Sequence, residues 1–212
     1  PNVFDVNQEH QIDFFGHSWF DKTTVGTIYY AGNHNPTAII GSSRIPEDVI
    51  QNVYDIYNPV QLMLEQPITF DTKNYHERKH LDAIPQNGIS RLYSLYQANK
   101  LKRQYEVDNG FVYDVVVCAR YDFTLFEPMK LDLVRAPGVY HPGYSALGFN
   151  VCHAMGDSSS IDKYAHLYFN YDVIYNLGIR WCDETLALTY LHQLNIPVYD
   201  FSIRNNINRG TT

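Results

Sequence analysis

Apolar residues gather first in Ile12 to Trp19 (IDFFGHSW), a short run closed by polar residues, which predicts a buried strand followed by a loop at Asp21-Lys22. Residues 22–46 are rich in Gly, Asn, Ser and Pro and predict an irregular excursion. Pro46-Glu47-Asp48 then supplies a proline and two acids at a helix start, and Val49, Ile50, Val53, Ile56 and Tyr57 recur at helical spacing as far as Asn58-Pro59. Val60 to Glu65 (VQLMLE) predicts a second strand stopped by Gln66-Pro67. The polar stretch 71–88 predicts a loop with a turn at Asn87-Gly88.

From Ser90, a candidate cap, the pattern changes to a long helix. Leu92, Leu95, Tyr96, Asn99, Leu101 and Tyr105 keep one face largely apolar, Lys100, Lys102, Arg103 and Glu106 are expected to face out, and Asn109-Gly110 is a good stop. Tyr113 to Ala119 is an almost unbroken β-branched run, the pattern of a strand buried on both faces of a mainly parallel sheet. Further on, Ala146 to Met155 reads as a strand, Ser160 to Tyr171 as a helix capped by serines, Asp183 to Leu194 as a helix and Pro197 to Phe201 as a strand. The polar residues 205–210 read as a tail or a linker to further domains. Strands alternating with helices over 212 residues predict one α/β domain with three layers, a mainly parallel central sheet and helices on both faces.

Composition narrows the partners. The net charge is −7 and no Lys or Arg run exceeds two residues, so a nucleic-acid footprint is missing and nucleic acid is not expected as a partner. No stretch approaches the roughly 18 apolar residues of a membrane span, so no integral membrane segment is expected. Cys118, Cys152 and Cys182 lie among apolar neighbours without metal-type spacing, which points to free thiols and a reducing, cytoplasmic setting. Tyr is abundant, with 18 residues against 2 Trp, which suits wet pockets for polyhydroxylated ligands as well as a Tyr-rich core.

In open α/β sheets ligands bind beyond the carboxyl ends of strands, which makes Asp122, at the end of the β-branched run, the first candidate. A carboxylate held there needs a partner: either Arg120 as a structural ion pair, or a divalent cation. Trp181-Cys182-Asp183-Glu184 places two acids in the first turn of a helix, where they serve either as favourable dipole partners or as a general base for an acceptor hydroxyl. His17 and Asp21, after the first strand, are candidates for phosphate or metal contact, although a lone histidine at a strand end is more often a hydrogen-bonded structural residue. The absence of GxGxxG, GxxxxGK and GxSxG argues against dinucleotide oxidoreductases, P-loop NTPases and common serine hydrolases. The lack of a Gly-rich phosphate loop in residues 1–30 argues against nucleotidyltransferases.

Four blocks in order carry a resemblance. They are His17-x-Trp19-x-Asp21, then Tyr93-Ser94-Leu95-Tyr96-x-Ala98-Asn99-x-Leu101-Lys102 leading to Tyr105-Glu106, then Tyr113-Asp114-Val115-Val116-Val117-x-x-Arg120-x-Asp122, and last Met155-Gly156-Asp157-Ser158-x-x-x-Asp162-x-Tyr164. Together they resemble viral and bacterial glycosyltransferases and, more narrowly, the N-terminal glycosyltransferase domain of a chlorovirus multi-domain protein. The resemblance implies a GT-A fold, a nucleotide-activated donor such as a UDP-sugar, Mn²⁺ or Mg²⁺, a glycan acceptor and a place in viral capsid glycan synthesis. It further implies that Arg120-Tyr121-Asp122 stands where the family has its Asp-x-Asp motif, with Asp122 as the metal ligand. Arg120 and Arg91 would lie on the diphosphate, Asp183 or Glu184 would be the base, and Gly156 and Asp157 would line the acceptor side. No Asp-x-Asp occurs in this chain, because Arg120 takes the place of the first aspartate. That departure also allows a domain of the same fold that binds a nucleotide-sugar or carbohydrate without catalysis.

Overall fold

The apolar run after Ile12 forms β1 (Phe15–Trp19) in the computed structural model, which is described for residues 3–26, 28–32, 39–75, 85–145, 148–179, 181–201, 203 and 205–207. The segment read as irregular instead holds a 3-10 turn (Lys22–Thr24) and an antiparallel pair of strands, β2 (Ile28–Gly32) and β3 (Ile39–Arg44). Strand pairing satisfies backbone groups there without the apolar alternation that would announce it. The helix α1 (Val49–Tyr57) and strand β4 (Gln61–Glu65) form where the spacing predicts. Asn58 ends α1 in the left-handed region at φ 41, its N–H reaching Tyr54 O at 2.9 Å.

After a second 3-10 turn (Lys73–Tyr75), the long helix α2 (Pro85–Asn109) starts earlier than expected. Asn87-Gly88 is not a turn but part of its first turns, and Ser90 lies inside the helix rather than at its cap. The rest of the expected loop, 76–84, lies outside the described residues. Pro85 suits a first helical position, and Gln86 ties the start down by accepting from Phe70 N at 2.8 Å and donating to Ile68 O at 3.0 Å. Gly88 is tolerated because the Trp181 indole packs against it, 3.6 Å from where a Cβ would sit. Gly110 ends α2 at φ 69.

The strands β5 (Val116–Ala119), β6 (Phe123–Leu125) and β7 (Val139–His141) follow, with a 3-10 turn (Leu131–Leu133) between the last two. The run expected to be one strand from Ala146 to Met155 is broken. A short ribbon, β8 (Tyr144–Ser145) with β9 (Gly148–Phe149), is separated from β10 (His153–Gly156) by a turn in which Asn150 Oδ1 accepts from Cys152 N at 2.9 Å. Residues 146 and 147 lie outside the described part. The next helix, α3 (Ser158–Ala165), is capped by Asp157 rather than by serines and runs into a 3-10 turn (His166–Phe169) and α4 (Tyr171–Asn176). The last helix and strand, α5 (Asp183–Gln193) and β11 (Val198–Asp200), match the pattern. Part of the expected tail forms β12 (Asn205–Ile207), paired with β6.

The chain is a mixed α/β structure with small sheets. Among the described residues β1–β4 and β7–β11 pair in parallel, while β5–β10, β7–β10, β6–β12, β2–β3 and β8–β9 pair antiparallel, so the pairing is not mainly parallel. The largest sheet has the order β11-β7-β10-β5. Among the described residues, helices pack on one of its faces. On one face Val139, Ala154, Val116 and Cys118 pack with Ile161, Leu186 and Leu191 of α3 and α5; on the other, Tyr140, Met155 and Val117 pack with Met129, Val134 and Phe201 from irregular segments and strand ends. The β-branched run of β5 is half-buried at the edge of this sheet, not enclosed in its middle. Apolar continuity marks two-sided contact, and loop residues supply that contact as well as helices do. No described helix is long and apolar enough to cross a membrane.

Candidate functional site

The turn Val151-Cys152 is where most of the predicted site residues meet. Arg120, just beyond β5, donates its backbone N–H to Cys152 O at 3.2 Å, which fixes the start of the Arg120–Asp122 turn against the segment entering β10. Arg91, nearly two helical turns after the start of α2, reaches the same place from the other side. Its Nη1 donates to Val151 O at 3.2 Å, and its Nε donates to Asp183 Oδ2 at 2.7 Å at the start of α5. Glu184, next along α5, accepts from the Cys182 thiol at 2.7 Å. A Cβ at Gly148 would lie 2.5 Å from Glu184 O, so the bare backbone of β9 is what lets this ribbon press on the helix start.

Two ion pairs dominate the electrostatics. Arg120 grips Asp122 with both ends of its fork, Nε to Oδ1 at 2.7 Å and one Nη to Oδ2. Burial opposes the charge on Arg120, but Asp122 outweighs it and holds the guanidinium protonated above its ordinary range. The same balance holds deeper in the protein for Arg91, where Asp183 and Tyr164 outweigh burial. The side chains of the outer pair are 38% and 32% exposed and those of the inner pair 13% and 17%, so one is open to a ligand and the other is walled in. Cys152 lies between them. Burial pushes its thiol up while Arg120 and Arg91 pull the other way. Burial, aided by Glu184, pushes the Cys182 thiol up to about 12, so it donates to Glu184 as a neutral thiol.

The remaining predicted residues lie elsewhere. His17 is buried in β1, its Nε2 2.9 Å from Glu65 Oε2 and its ring edge-on to Trp19 and Tyr93. Burial lowers its pKa despite Glu65. Asp21 caps the 3-10 turn, accepting from Thr23 N at 2.8 Å and Thr23 Oγ1 at 2.7 Å. Gly156 pairs with Val116, at the end of β5 away from Asp122. Asp157 accepts from Gly138 N at 2.8 Å and Ser160 N at 3.1 Å, and a Cβ on Gly156 would strike Gly138 O. This corner is a packed helix cap.

Tyr121, between Arg120 and Asp122, was not singled out by sequence and connects the ion pair to a cleft of ≈ 230 Å³ at the carboxyl end of β1. Ser18, Trp19, Asp21, Val49 and Leu64 also line it, so its walls are mainly apolar with a few polar groups. The one available signal was Gly16 inside an apolar strand: a Cβ there would lie 2.5 Å from the Tyr121 hydroxyl oxygen, so glycine makes room for that ring.

A hard divalent cation fits these residues poorly as they stand. Both oxygens of Asp122 are taken by Arg120, and among the described residues the ligand-dense group is Cys182, Asp183 and Glu184, whose ligand atoms lie within 4.8 Å of one another. In that group one carboxylate is bound to Arg91 and the sulfur is a neutral thiol, whereas Mg²⁺ and Mn²⁺ favour oxygen ligands free of other partners. No known protein-family model matches the chain, and comparison with curated proteins gives no match.

Proposed function

We propose that the chain is a glycosyltransferase of GT-A type that moves a sugar from a nucleotide donor, such as a UDP-sugar, to a hydroxyl of a glycan or similar acceptor. The observation that carries this reading is the meeting of Arg120, Asp122, Arg91, Asp183 and Glu184 around one turn, beside a cleft that Tyr121 shares. The apolar cleft suits a nucleobase, whose faces stack on rings and aliphatic walls. The guanidinium of Arg120, whose chain neighbour Tyr121 lines the cleft, suits a diphosphate. Glu184 takes the role of general base, because Asp183 is committed to Arg91 while Glu184 is hydrogen-bonded by a neutral thiol. Asp183 then orients Arg91 rather than taking a proton.

A second reading, a domain that binds a nucleotide-sugar without turning it over, is favoured by the ion pairing of both Asp122 and Asp183. One assay separates the two. Nucleoside diphosphate release is followed from UDP-, GDP- and dTDP-sugars with and without simple glycans, alongside thermal shift for binding. The transferase reading expects release with at least one donor, and Glu184→Gln should keep donor binding while losing about 100-fold or more in turnover. Binding without release in the wild-type protein establishes the second reading, and neither binding nor release removes both.

A further inference from the structure

We propose that the diphosphate of the donor is held by the guanidinium of Arg120 rather than by a divalent cation, with Asp122 acting as a positioning residue that aims Arg120. This rests on the reading of the chain as a nucleotide-sugar transferase. The resemblance assigns the cation to Asp122, and the geometry at Asp122 points the other way. Its two oxygens are engaged by the Nε edge of the Arg120 fork, which leaves the Nη1 edge of a guanidinium that is 38% exposed outside that pair, one residue before the Tyr121 that lines the cleft. A guanidinium gripped from behind by a carboxylate has lost rotamer freedom before a ligand arrives, so the entropy of ordering it is not charged to binding. Its planar donor edge matches two oxygens of a phosphate, which a point charge does not.

Arg91 adds a second positive centre, close enough to disfavour the charge on Arg120. Its Nη2 is buried with no hydrogen-bond partner. A charged donor left unsatisfied in the core is costly, while an anion arriving at the more exposed Arg120 would relieve the repulsion that Arg120 feels from Arg91. Asp183 and Asp122 offset these charges in the free protein, so the site stays close to electrically balanced until a ligand comes. Its hold on an anion is therefore directional hydrogen bonding more than net charge. A cation approaching Asp122 would meet a carboxylate whose two oxygens already accept from Arg120, and would be repelled by that guanidinium.

Calorimetric titration with UDP and with inorganic diphosphate tests this, in EDTA and in MnCl₂, on the wild-type protein, Arg120→Ala, Arg120→Lys, Asp122→Asn and the Arg120→Ala/Asp122→Asn double variant. The pair is part-exposed, so these variants should fold, and thermal unfolding checks that they do. The expected result is UDP binding in EDTA that Mn²⁺ changes by less than about twofold. Arg120→Ala should weaken it by about tenfold or more, one charge-assisted hydrogen bond being worth that factor. Arg120→Lys should restore part of the loss, and Asp122→Asn should cost less than Arg120→Ala. In the double variant Asp122→Asn should add no further loss, since a residue that acts through Arg120 has nothing left to aim. Binding that appears only with Mn²⁺ and disappears in Asp122→Asn overturns the proposal. Failure of both UDP and inorganic diphosphate to bind in EDTA overturns it as well. Arg120-dependent binding of inorganic diphosphate in EDTA, with no binding of UDP, upholds the anion site while removing the nucleotide-sugar reading.

Discussion

Two clusters in this protein are made of the same materials and finished differently. Where α2 meets α3, Lys102 is 4% exposed and donates to Ser158 Oγ, to Asp162 Oδ1 at 2.8 Å and to Glu106 Oε2 at 3.0 Å. Glu106, 6% exposed, is completed by Ser158 Oγ at 2.7 Å and by Tyr113 N at 2.9 Å. An ammonium has three donors, and here each has an acceptor. Around Val151-Cys152 the pairs Arg120–Asp122 and Arg91–Asp183 are simpler, the outer one is a third exposed, and the buried Nη2 of Arg91 is left over. The comparison teaches that burying charge does not by itself mark a functional site. A network whose cation has every donor met holds helices together, while one with a donor left over is open to something else.

Breaking the closed cluster should have the largest effect. Lys102→Met leaves Glu106 and Asp162 facing each other without their shared cation, and should cost about 3–5 kcal/mol in urea unfolding. Adding Glu106→Leu should recover part of that, since an apolar pair is cheaper than an uncompensated charge. A loss below about 1 kcal/mol would mean that water reaches the network. Arg91→Met removes a single, less completely buried pair and should cost about 2–3 kcal/mol by the same measurement.

Acid sharpens the contrast. Burial pushes the Glu106 carboxyl up, but the Tyr113 N–H, Ser158 and Lys102 outweigh it and hold it below its ordinary value of 4.5. A carboxyl lowered on folding contributes stability that is complete above its unfolded pKa and is lost as the pH falls through the folded one. Unfolding free energy should therefore decline below about pH 4.5, and the decline should be shallower in Glu106→Gln. An identical slope would place the proton elsewhere. The smallest effect on stability is expected from Arg120→Ala, at most about 1 kcal/mol for a part-exposed pair, even though the same substitution should be among the most damaging to anion binding. If Arg120→Ala destabilises as much as Arg91→Met, the outer pair is structural and the contrast between the clusters fails.

These two clusters were unequally legible. The candidate site was half-visible: Asp122 at a strand end and the acids at the start of α5 stand out against apolar neighbours, and both fall at the same turn. Its partners were not separable by sequence, because a carboxylate beside an arginine satisfies a salt bridge and a metal motif equally well, and the bidentate grip of Arg120 becomes visible only in the folded chain. The closed cluster was misread. Lys102 and Glu106 were placed on the solvent side of α2 because charge in a helical pattern is ordinarily solvated, and here α3 packs on that side and solvates them instead.

Local periodicity determined what lies within one element. It located α1, β4, α5 and β11 and the end of α2 at Gly110, since propensity, capping and one-sided burial act over a few residues. Tertiary structure decided what depends on partners far along the chain. Strand direction, the early start of α2 against Trp181, the pairing of residues 205–207 with β6 and the covering of one sheet face by loops follow from contacts between segments that carry no mark of one another. The choice of Arg120 as the partner of Asp122 belongs with them, because it depends on the turn that Cys152 O fixes from 32 residues away, and hydrogen-bond geometry of that kind exists only once the chain has folded.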